Sequence, residues 1–118
     1  MSVTNSYRTF VLEQLNRAVA PPPVRARAMF GGVGLYAGDV FFALIADDAL
    51  YFRTDETTRP EFEALGMTPF RPFDEHGPVM SYYQLPEEVL EEPETLRRWS
   101  ERAIGAARTR RARSRKRR

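Results

Sequence analysis

The chain has 118 residues, 42% of them hydrophobic and 12% aromatic, and no cysteine. It is long enough for one domain with a single core and too apolar for a chain that stays unfolded, and the missing thiols exclude disulfide frameworks, thiolate metal sites and cysteine nucleophiles. The 18 Lys and Arg nearly balance the 16 Asp and Glu, but residues 108–118 hold eight of the cations and no acid, leaving 10 cations against 16 acids, a net −6, in residues 1–107.

Tyr7, Phe10, Val11, Leu15 and Ala18 recur at helical spacing, so residues 6–19 are predicted to form an amphipathic helix, with Thr4, Asn5 or Ser6 as its cap. Pro21, Pro22 and Pro23 end it, because proline lacks an amide donor and disfavours helical geometry in the residue before it. Turn chemistry at Gly31-Gly32, Gly38-Asp39 and Asp47-Asp48 then divides residues 25–53 into four strands, at about 25–30, 33–37, 40–46 and 49–53. The short connections force antiparallel neighbours. The third strand, VFFALIA, is apolar at every position, as expected of a central strand covered on both faces or of a face that meets another subunit.

A short helix over 59–66 ends at Gly66, which suits a left-handed closing turn. Extended segments follow at 67–73 and 79–85; Pro69 and Pro72 place the first at an edge or make it irregular. A helical turn at 86–90 leads to a last helix that starts at Pro93 and carries Leu96, Trp99, Ala103, Ile104 and Ala107 as one stripe. The stripe stops at Ala107, and residues 108–118 are expected to be a basic tail without fixed structure. The expected fold is α+β and two-layered: an antiparallel sheet of about six strands, helices at both ends, and one helix between strands four and five.

The candidate chemistry is sparse. Gly31, Gly32 and Gly34 are followed by a strand, whereas a phosphate cradle needs a helix there, so a tight turn or bulge explains them. His76 is the lone imidazole, with no second nitrogen or sulfur ligand for a metal site. Ser81 lacks the flanking glycines that expose a nucleophile, and the Asp47-Asp48 pair reads as a hairpin turn. No catalytic residue, cofactor or metal is assigned. Glu87, Glu88, Glu91, Glu92 and Glu94 cluster before the last helix, where they complement its dipole or offer the basic tail an internal counter-charge. A small-molecule pocket lined by Phe30, Tyr36, Tyr82 or Tyr83 ranks last among the readings.

Taken together, AMFGGVGLY at 28–36, FFALIADDALYFR at 41–53 and MSYYQLPEEVLEEPETLRRW at 80–99 resemble the N-terminal domain of the TfoX/Sxy family over roughly residues 5–107. The resemblance implies a fold similar to secretion chaperones, often dimeric, a link to the regulation of competence genes, and no enzymatic activity. It marks Met29, Phe30, Gly31, Gly32, Gly34, Ser81, Tyr82 and Tyr83 as family-motif residues with structural or interaction roles. Family regulators commonly carry a second, helical domain, in whose place this sequence has the basic segment.

The expectation is therefore a cytoplasmic regulatory protein, a homodimer with an unknown protein partner and no membrane association. Its domain spans 1–107, and Arg108, Arg110, Arg111, Arg113, Arg115, Lys116, Arg117 and Arg118 are its candidate, non-specific contacts to nucleic acid. The alternative is a polypeptide-binding adaptor or chaperone-like module in which the tail is passive.

Overall fold

The computed structural model describes residues 3–19, 23–29, 31–71 and 81–116, the last seven by their backbone alone. Helix α1 (Asn5–Ala18) is followed by strands β1 (Val24–Met29), β2 (Gly32–Ala37), β3 (Val40–Ala46) and β4 (Ala49–Arg53). Helix α2 (Arg59–Ala64), strand β5 (Tyr82–Gln84), a 3-10 turn (Glu87–Glu91) and helix α3 (Pro93–Lys116) complete the chain. The strands form one antiparallel sheet in the order β1-β2-β3-β4-β5, a meander without crossovers. The α+β class with helices at both ends is as expected. Among the described residues, no helix is long and apolar enough to cross a membrane.

Local chemistry sets each junction. Thr4 caps α1 by accepting from the Tyr7 amide at 3.2 Å, and its own amide and hydroxyl donate to the Asp48 carboxylate at 2.8 and 3.0 Å. Asp47 and Asp48 both take positive φ, 50° and 53°, the primed geometry that matches the twist of a two-residue hairpin. Asn16 ties α1 to β1: its Oδ1 accepts from the Val24 amide at 2.8 Å and its Nδ2 donates to the Val24 carbonyl. Asp55 accepts from the amides of Thr57 and Thr58 in the turn that opens α2.

One core lies between the sheet and the helices. Val11, Leu15 and Ala18 of α1 and Leu96, Ala103, Ile104 and Ala107 of α3 pack on Val33, Leu35, Phe42, Ile45, Leu50 and Phe52. Phe62 of α2 joins the same side, edge-on to Trp99 at 4.7 Å between centroids. At roughly 1.5–3 kcal/mol for each fully buried large side chain, this layer is the main source of stability.

One expectation holds in reduced form and one needs correction. The extended segment at 67–73 is not a sixth strand among the described residues; it makes one isolated bridge, Pro69 to Tyr83, flanked by the Phe70 amide on the Tyr82 carbonyl and the Gln84 amide on the Thr68 carbonyl. Proline has no amide with which to extend the ladder. Helix α3 also continues past Ala107 to Lys116, so the backbone of the basic segment is helical through that point and not an unstructured tail. Ala and Arg are among the best helix formers, and a packed helix removes the cost of nucleation for residues added to its end.

Phe52, fully buried, is expected to cost about 3–5 kcal/mol on replacement by Ala, whereas Leu65→Ala, at a side chain 52% exposed, should stay within about 0.5 kcal/mol. Urea unfolding midpoints check both. Tyr7 offers a pH test: burial, then the Glu87 and Asp48 carboxylates, push its phenol up to about 12. Because the folded value lies above the unfolded value of 10, the stabilisation is complete below pH 10 and is lost as pH rises through about 12. Tyr7→Phe should therefore lose less stability than the parent chain across that window.

Candidate functional site: the second sheet face and the basic helix end

Helices cover one face of the sheet, and the other is finished by side chains. A register shift between Leu35 and Tyr36 sets Leu35 opposite Ala43 but Tyr36 opposite Phe41, which leaves one extra residue on β3. This bulge re-phases the strand. Phe42 and Ala43 both join the helix-side core, while Phe41, Leu44 and Ala46 face the other way. That accounts for a strand apolar at every position.

On the second face Leu44, Ala46 and Tyr82 are buried beneath a partial roof of Phe41, Tyr51 and Phe70. The rings form a row: Tyr36 stacks on Phe41 at 5.2 Å between centroids, Phe41 lies 5.4 Å from Tyr82, and Tyr51 lies 5.3 Å from Phe70. The Arg53 guanidinium sits 5.4 Å from the centre of the Tyr82 ring. Burial raises the Tyr82 phenol above its usual value, and the Arg53 charge offsets part of that rise. Arg25 and Arg27 alternate with Val24 and Ala26, which face the core, and so emerge on this side. Arg25, Arg27, Tyr36, Gly38 and Asp39 line an open depression of about 530 Å³ at the β1 edge.

The glycines serve this packing. Gly31 takes φ 77° in the β1–β2 turn. A Cβ at Gly32 would sit 2.6 Å from the Ile45 carbonyl oxygen, and one at Gly34 would meet Met29 Cε at 2.7 Å and Phe41 Cε1 at 3.2 Å. Met29 thus lies over Gly34 beside Phe41. Phe30 and His76 lie outside the described residues.

The Ser-Tyr-Tyr motif divides between faces. The Ser81 carbonyl accepts from the amide and hydroxyl of Thr54 at 2.8 and 3.1 Å, which ties β5 to the end of β4. Tyr82 joins the ring row, whereas Tyr83 packs on the helix side and its hydroxyl donates to Glu63 at 2.8 Å. The suggested aromatic pocket is therefore not assembled as expected: Tyr36 and Tyr82 share a face through Phe41, which was not singled out, and Tyr83 lies on the other. Alternation along β1 and β2 was the available signal, but it is readable only once the bulge has set the phase of β3.

Arg108 is exposed on α3, Arg110, Arg111, Arg113, Arg115 and Lys116 follow along its helical backbone, and Arg117 and Arg118 lie outside the described residues. The glutamate cluster sits at the other end of α3, where Glu94 pairs with Arg97 at 3.0 Å. At 1.5 Å per residue, Glu94 lies roughly 20 Å along the axis from Arg108 and about 33 Å from Lys116. A continuous helix holds the two charge clusters apart, against the expectation that the basic segment could fold back on these acids.

The profile of the TfoX N-terminal domain matches residues 13–107. The chain belongs to the TfoX N-terminal domain family. This is a competence-related regulatory family, and the matched span runs from α1 to the last turn of α3 that packs on the sheet. A segment of 45 residues is 44% identical to DNA transformation protein TfoX1 of Aliivibrio fischeri; it covers 38% of this chain and 22% of that protein. In this family member, the motif glycines and Tyr82 build the second face of the sheet and its junctions, while Tyr83 packs on the helix side.

Gly32→Ala should lower stability by about 1–3 kcal/mol, because the new methyl group meets neighbouring backbone and β2 must move. Gly34→Ala should cost less, since the obstructing Met29 methyl is the free end of a flexible side chain. Thermal melts of the two variants give the ranking.

Proposed function

We propose that this chain is a non-enzymatic regulatory module that acts through contacts with other macromolecules, with the basic end of α3 supplying non-specific affinity for nucleic acid. The observation that carries this reading is the separation of charge along α3. Six of the eight cations of residues 108–118, from Arg108 to Lys116, continue a helix anchored by its apolar stripe, and the glutamate cluster before Arg97 lies at the other end of that helix. Like charges so concentrated are stabilised by an external polyanion. Arginine, seven of the eight, suits phosphate oxygens, and the absence of aromatics in this segment leaves little means of reading sequence. Membership of a competence-related regulatory family supports the regulatory role.

The test is a salt titration of binding to a duplex of arbitrary sequence. If all eight cations meet duplex phosphates, log K against log salt should have a slope of about −7, from ~0.9 per contact. Replacing the cations of 108–118 with Gln should remove that slope while leaving the melting temperature near that of the parent, because the apolar stripe ends at Ala107. Unchanged retention of duplex would overturn the reading.

A further inference from the structure

The five strands contain three arginines, Arg25, Arg27 and Arg53, and no Asp or Glu. All three reach the face that none of the described helices covers, and the rest of residues 1–107, with 7 cations against 16 acids, therefore carries a net −9, most of its acids lying in turns and loops. This cationic, ring-bearing face inside an acidic domain is distinct from the basic end of α3.

We propose that this face binds single-stranded nucleic acid, with a base stacked on Tyr36 and phosphates held by Arg25 and Arg27. In the sheet, Tyr36 stands between Arg25 of β1 and Phe41 of β3. Phe41 takes one side of its ring, and among the described residues the row Tyr82–Phe41–Tyr36 ends there. The 530 Å³ depression begins at Tyr36, among β1 and turn residues, and Phe41 does not line it. A base entering the depression extends an existing stack, which is how sheet surfaces hold unpaired bases between aromatic rings and basic side chains. Its size lies within the ~300–1,000 Å³ of ligand sites. The Arg25 guanidinium donates to the Gly38 carbonyl at 3.2 Å, which holds it at the rim. Asp39 also lines the depression and has an interaction of its own; two guanidinium groups against one carboxylate leave the site net positive.

Other occupants fit less well. The apolar residues that would grip a polypeptide, Leu44 and Ala46, are already roofed by rings. A second copy would have to meet these arginines with carboxylates from its turns or helices, since its strands carry none. Duplex DNA keeps its bases stacked away from Tyr36.

The experiment is fluorescence anisotropy of the full chain with a labelled twelve-nucleotide oligothymidylate, beside a duplex of equal length. Arg25→Gln with Arg27→Gln should weaken oligothymidylate binding and lower its salt slope by about 1.4, from ~0.7 per single-strand phosphate contact. Tyr36→Ala should lose roughly 5- to 150-fold for the one base it stacks, and Tyr36→Phe, which keeps the ring, should retain affinity. These differences should persist when the cations of 108–118 are replaced with Gln, so this proposal and the duplex affinity of α3 stand or fall separately. If Tyr36→Ala does not fold, the arginine pair decides. Unchanged oligothymidylate affinity in the arginine variant would overturn the proposal. So would binding abolished by changes in 108–118 but indifferent to Tyr36, or a dimer that Tyr36→Ala dissociates without any oligonucleotide binding.

Discussion

Three helices lie against one side of a five-stranded sheet, and nothing in the described chain supplies a second helical layer for the other side. A sheet buried on one face normally alternates apolar and polar residues along each strand. Here the central strand does not alternate, because a single extra residue on β3 turns two consecutive apolar side chains inward and hands the next to the opposite face. The bulge thus serves both faces. It thickens the core beneath α3 with Phe42 and Ala43, and it aligns Phe41 with Tyr36 on the side that aromatic rings must seal by themselves.

That partial sealing explains the composition of the second face. Leu44, Ala46 and Tyr82 are withdrawn from water by rings from β3, β4 and the segment beside β5. The outer strand contributes Arg25 and Arg27, whose aliphatic stems suit the rim of an apolar patch while their heads remain hydrated. Charge is consequently segregated twice: along α3, from glutamates to arginines, and around the sheet, from turns and loops that hold most of the acids to strands that carry only positive charge.

Much of the architecture was legible in the sequence because it rests on local rules. The three-residue proline run, the Asp47-Asp48 hairpin, the glycine turn at Gly31 and the stripe from Leu96 to Ala107 each express a backbone preference or a period. The reduced segment around Pro69 was foreshadowed by its missing amide. The continuation of α3 was harder to read, since the end of an apolar stripe marks where packing stops and not where hydrogen bonding stops.

The sequence alone determined the order of elements, the antiparallel meander, the family motif and the concentration of cations after Ala107, because these depend on neighbours a few residues apart. Only the tertiary structure decided which face each strand residue occupies, since a bulge of one residue inverts every assignment beyond it. It alone brought Tyr36, Phe41 and Tyr82, and with them Arg25 and Arg27, onto one surface: those residues come from four strands, and their proximity is set by pairing register between segments up to 57 residues apart.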